Sequence, residues 1–162
     1  MIVEALRQRI RTHQCEEGAA APVYQSLYEC QSFLIDECLP EAEGRPRPLI
    51  SLEADPKSGW RGKYQRIGPF GVTEVITINA LGTGIAEADD LIRVIAHELG
   101  HWHVRSTTEL RGHTDEWREL VFERFGIVFN EHGMWLRDTG AWWDLCYRMK
   151  GSTSILLDYL RA

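Results

Sequence analysis

Hydrophobic positions along the chain alternate between two periods. Helical spacing marks both ends, and strand-like runs occupy the middle. From Glu87 to His103, Ala88, Leu91, Ile92, Ile95, Leu99 and Trp102 fall in one stripe roughly 100° wide, the pattern of a helix with one buried face. Glu87, Asp89 and Asp90 place negative charge at its start, where the helix dipole favours it. Upstream, Ile2, Leu6 and Ile10 predict a short helix over Met1 to Glu17. Val23, Leu27, Cys30, Leu34 and Cys38 predict a second from Pro22 to Cys38, with proline in its first turn. Leu39 to Pro48, with three prolines and Gly44, reads as a loop.

Three strands are expected next: Leu49 to Ala54, Trp60 to Ile67, and the β-branched run Val72 to Asn79. The turn-rich Asp55–Gly59 and Gly68–Gly71 between them favour an antiparallel sheet. Thr114 is suited to cap a helix reaching Phe125, with Asp115 and Glu116 in its first turn and Trp117, Val121 and Phe125 on its buried side. Beyond it, Trp135, Trp142, Trp143 and Tyr147 suggest an aromatic layer in the core, and Ile155 to Leu160 a terminal helix.

The expected class is α+β, as one domain over 1–162. It comprises a helical part at 1–40, a small three-stranded antiparallel sheet at 49–79, paired helices at 87–126 and an aromatic-rich part at 127–162.

Composition narrows the function classes. An apolar content of 44% and a charged content of 26% are ordinary for a globular domain. The net charge of −6 argues against a general nucleic-acid binder, since nonspecific phosphate affinity comes from Lys and Arg. A local basic excess between Arg45 and Arg66 is read as a solvated, edge-protecting hairpin, with contact to DNA or an acidic substrate as the alternative. No apolar run is long enough to span a bilayer, and the start Met1–Arg7 lacks a signal-peptide pattern, so the expectation is a cytoplasmic protein with no membrane partner. Cys15, Cys30, Cys38 and Cys146 lack C-x-x-C spacing and are expected as reduced thiols. Gly82-Thr83-Gly84 lacks the third glycine and following parallel strand of a dinucleotide fingerprint, and reads as a loop into the next helix.

That helix carries His97-Glu98-Leu99-Gly100-His101, an H-E-x-x-H pattern. Residues i and i+4 share one helical face, so His97 and His101 can aim two imidazoles at one metal ion, with the Glu98 carboxylate beside it. A third ligand is needed. His113, directly before the Thr114 helix, is one candidate, and Glu119 on that helix is another. His103 points to a different side of the helix, and neither His13 nor His132 can be placed.

The pair of motifs His97-Glu98-Leu99-Gly100-His101 and Gly112-His113-x-x-Glu116-Trp117 resembles the SprT-like (Spartan-type) zinc metallopeptidase family. That family joins H-E-x-x-H to a downstream G-H-G-x-E-aromatic motif. Thr114 stands where that motif has glycine, and the gap between the histidine pairs is slightly short. The resemblance covers best Leu49 to about Phe125, and it implies a zincin-like fold with His97, His101 and His113 as ligands of one Zn²⁺. It also implies Glu98 as the general base on a zinc-bound water, and protein or peptide substrates. A noncatalytic zinc-stabilised binding module and a DNA-associated repair protease are the alternatives. Tyr147, His132 and Arg105 are candidate oxyanion partners, and Glu109, Asp115 and Asp90 candidate orienters of the ligand imidazoles.

Overall fold

The computed structural model describes residues 21–53, 57, 59–69, 73–79, 88–108 and 111–149. The helices expected in 1–17 and 155–160 lie outside them. Among the described residues, four α-helices and two small sheets make a mixed α+β fold: α1 (Ala21–Cys38), β1 (Leu49–Glu53), β2 (Gly62–Ile67), β3 (Thr73–Asn79), α2 (Ala88–Thr108), α3 (Asp115–Phe125), β4 (Ile127–Phe129), β5 (Trp135–Asp138) and α4 (Gly140–Arg148). Among the described residues no helix is long and apolar enough to cross a membrane.

The first sheet has the order β1-β3-β2, with β2 antiparallel to β3 but β1 parallel to it. This corrects the all-antiparallel expectation. Short turns dictate antiparallel pairing only when consecutive strands are neighbours, and β1 and β2 are not. The most β-branched strand, β3, takes the centre, where Ile76, Thr77, Ile78 and Asn79 are buried. The polar β2, with Lys63, Gln65 and Arg66, is left as an edge.

Apolar periodicity and burial agree along the helices. Leu27, Cys30, Leu34 and Cys38 of α1 enter the core, as do Leu91, Ile92, Ile95, Leu99 and Trp102 of α2. The third helix starts as its cap chemistry requires: the Thr114 side chain accepts from the Trp117 N–H at 3.3 Å. It stops at Gly126, whose φ of 76° is the left-handed conformation favoured by glycine at a helix C-terminus. Trp117, Val121 and Phe125 form its buried side.

The expected aromatic layer is not a layer. Trp142 is buried, but Trp143 and Tyr147 are on the outward side of α4 and Trp135 stands on the exposed edge of β5. At 3.6 residues per turn, Trp142, Leu145 and Met149 share one face and Trp143 and Tyr147 the other.

The β4–β5 hairpin was absent from the sequence reading. Its turn is built by Asn130, whose Oδ1 accepts from the N–H groups of His132 at 2.9 Å and Met134 at 3.0 Å, and by Gly133 at φ 73°. Arg93 of α2 clamps this hairpin to the helix. Its Nε and Nη2 donate to the two Asp138 oxygens at 3.1 and 2.8 Å, and its Nη1 donates to Asp90 at 2.8 Å.

Candidate metal centre

Three imidazoles converge between α2 and the start of α3. The Nε2 atoms of His97 and His101, one helical turn apart, lie 3.3 Å from each other, and that of His113 lies 3.1 Å from His97. Each residue has a ligating atom within 4.8 Å of those of the others, so the trio can hold one metal ion. Of the two candidates for the third position, His113 is therefore the one brought to the pair. Glu119 is exposed, two residues past Trp117 and so on the far side of α3.

The floor of the site is Trp117. Its ring centroid lies 4.6, 4.8 and 4.7 Å from those of His97, His101 and His113, stacked on His101 with an interplanar angle of 15°. Its Nε1 donates to the His97 carbonyl at 3.3 Å, tying α3 to α2. This approach explains the glycine in the motif. A Cβ on Gly100 would lie 2.6 Å from Val121 Cγ2 and 2.7 Å from Trp117 Nε1. Gly133 plays the same part for the third imidazole, because a Cβ there would meet His113 Nε2 at 2.2 Å. Phe129 packs on His97 with centroids 4.9 Å apart, and Arg118 Nη1 donates to the His113 carbonyl at 3.0 Å.

The charge state suits metal binding, which needs neutral imidazoles. Burial, with the neighbouring His101, His113 and Arg61, holds His97 well below the ordinary imidazole value. Burial and His113 push His101 down to about 4. His113 is lowered by burial, then by His132 and Arg118.

Glu98 sits beside the trio, its Oε1 3.9 Å from His97 Nε2, and is only 4% exposed. Burial pushes its carboxyl up to about 8, against the backbone N–H of Tyr64, which donates to it. Gly62 makes room for this carboxylate: a Cβ there would lie 2.5 Å from Val94 Cγ1 and 3.2 Å from Glu98 Oε1.

Two clefts meet at this point. One of about 580 Å³ runs between α2 and the β4–β5 hairpin, and one of about 400 Å³ runs toward Arg105 and Arg111. Gly62, His97, Glu98 and His113 line both, so His97, His113 and Glu98 stand at their junction, with His101 on the side of the smaller. The larger is of the size of small-molecule and substrate sites.

The remaining candidates separate. His132 lines the larger cleft and Arg105 the smaller, whereas Tyr147 is 76% exposed on α4 and lines neither. None of the described candidates for orienting the ligand imidazoles is seen to do so: Asp115 pairs with Arg118 and Asp90 with Arg93, while Glu109 is outside the described residues. His103 is buried on another face, 3.3 Å from Glu41. Four of the six basic residues between 45 and 66 are engaged separately. Arg45 stacks on Trp102, Arg47 pairs with Asp36, Lys63 lies over Trp60 and Arg66 pairs with Glu74.

Sequence reasoning missed Gly62, Gly133, Phe129 and Arg118. Only Gly133 had a local signal, the short β-branched run Ile127–Phe129 followed by Asn130 and a turn glycine. Comparisons with protein-family models, with curated proteins and with solved structures found no match for this chain.

Proposed function

We propose that this protein is a zinc-dependent peptidase of zincin-like fold, akin to the SprT-like metallopeptidases. The observation that carries the reading is the convergence of His97, His101 and His113 beside a buried carboxylate at the junction of two clefts. The donor set fits zinc: three neutral imidazoles are a known catalytic combination, and a three-ligand set leaves a coordination position for chemistry. Zinc held there would supply Lewis acidity, polarising a scissile carbonyl and acidifying the attacking water.

The chain's own residues do the rest. Glu98 takes the proton of the attacking water and returns it to the leaving amine. Gly62 and the Tyr64 N–H fix the carboxylate in place. Trp117, Phe129 and Gly133 hold the imidazoles and keep water from their flanks. An extended substrate segment lies along β2, the edge strand whose Gly62 borders both clefts, and its backbone is thereby presented to Glu98.

The test is Glu98→Gln in the zinc-loaded protein. The expected outcome is retained zinc with cleavage of denatured protein substrates reduced by at least about a hundredfold, the size of a general-base contribution. Unchanged cleavage would discard the mechanism.

A further inference from the structure

We infer that the site reads two side chains of its substrate, a bulky apolar one on one flank of the scissile bond and Asp or Glu on the other. The inference rests on the peptidase reading above and deepens it. The two clefts that meet at Glu98 differ in chemistry. The larger is walled by Trp60, Val94, Phe129, Met134 and Trp135. Its charged residues besides Glu98 are Arg61, Asp90 and Arg93, and Arg93 is spent: the guanidinium is bonded to Asp138 and Asp90 and lies 4.9 Å from the Trp135 ring centroid. Trp60 is held in turn by Lys63, whose Nζ lies 4.5 Å from its ring centroid, and by Asn79 Nδ2, which donates to its carbonyl at 2.9 Å. The wall is a rigid aromatic slot suited to Phe, Tyr, Leu or Met.

The smaller cleft carries Arg105 and Arg111, beside Lys63 whose ammonium leans over Trp60, and among the described residues that line it the single carboxylate is the buried Glu98. Arg105 Nε is buried and, among the described residues, has no hydrogen-bond partner. A buried guanidinium N–H left unbonded is costly, and an incoming carboxylate satisfies it. This basic wall runs against the overall charge of −6, so the local field selects an acidic group. An extended chain advances about 3.3 Å per residue, so a segment crossing Glu98 places side chains within one or two positions of the scissile bond in both clefts.

The experiment uses the full zinc-loaded chain and peptides with Phe or Ala on one flank and Glu or Lys on the other, in both orders. Cleavage by the unaltered protein is mapped by mass spectrometry, and binding to the Glu98→Gln protein is read by fluorescence anisotropy. In one order, Phe with Glu should be preferred over Phe with Lys, and over Ala with Glu, by about tenfold or more, as expected for one charge-assisted contact or one filled apolar slot. Arg111→Glu should erase or invert the Glu-over-Lys preference and keep that for Phe. Met134→Asp should weaken the preference for Phe and keep that for Glu.

Cleavage indifferent to both flanks overturns this inference and leaves the peptidase reading standing. Selective binding without cleavage supports the two-sided recognition and overturns the peptidase reading. Displacement of peptide by a single-stranded oligonucleotide, with no Glu-over-Lys preference, assigns the basic cleft to nucleic acid and overturns the inference.

Discussion

Replacing Gly100 by alanine should destabilise the protein, reversing the usual effect of this substitution in a helix. In an exposed helix interior the change gains about 1 kcal/mol from backbone propensity. Here the added methyl would stand 2.6 Å from Val121 Cγ2, 2.7 Å from Trp117 Nε1 and 3.2 Å from Trp117 Cδ1. Neither neighbour can swing away. Both are fully buried, and the indole is packed against three imidazoles and bonded to the His97 carbonyl. Overpacking of this kind costs about 1–3 kcal/mol, and two contacts below 3.0 Å place it toward the upper end. Set against the propensity gain, the net loss is about 1–2 kcal/mol, or about 2–8 °C in Tm for a chain of this size. Because the strain enters through Trp117, zinc affinity should fall as well. Urea unfolding of chelated and zinc-loaded protein, wild type beside Gly100→Ala, measures both. A variant as stable as wild type, or more so, would refute the close packing of α3 on α2.

Three other outcomes follow from the same geometry. Gly133→Ala forces a methyl to within 2.2 Å of His113 Nε2 at a residue with φ 73°, so competition against a chelator should show zinc affinity down by more than about tenfold, the factor for about 1.4 kcal/mol, while the core stays folded; unchanged affinity contradicts the contact. Glu98 has a folded value raised to about 8, so the stability linked to it in chelated protein is fully present below the ordinary carboxylate range and is lost as pH rises through about 8. Glu98→Gln removes that dependence, and its advantage over wild type should grow from pH 5 to neutrality, reaching about 3 kcal/mol; a pH-independent difference would contradict the buried carboxylate. Burial, with smaller effects from nearby carboxylates, pushes the thiols of Cys30, Cys38 and Cys146 up to about 12, 11 and 12, so a thiol reagent at pH 8 should modify none of the three before unfolding, and rapid native labelling of any would contradict their packing.

The helix α2, the capped helix after it and the His97–His101 pair were legible because each depends on residues close in sequence, whereas the choice of His113 over Glu119 needed the fold that brings it to the pair. Helical periodicity, an N-cap threonine and an i, i+4 histidine pair are local physics. The order of the strands was not legible. Which strand takes the centre depends on burial against α1 and α2, and the turn between β1 and β2 carries no trace of a third strand inserted there. Gly62 was silent, and Gly133 announced only a turn, for a related reason. A glycine needed for close approach looks in sequence like any turn glycine, and its partner, Glu98 or His113, is supplied by a distant segment. The Arg93–Asp138 clamp joins residues 45 positions apart, beyond any periodic signal.

The central claim is a zinc ion held by three histidines, and metal content tests it most directly. Purified wild type and His113→Ala, reconstituted with zinc and then dialysed, would be compared by native mass spectrometry. One zinc per chain in wild type, lost or greatly weakened without His113, is the predicted result. Full retention of zinc by His113→Ala, or no zinc in wild type after reconstitution, would contradict the account.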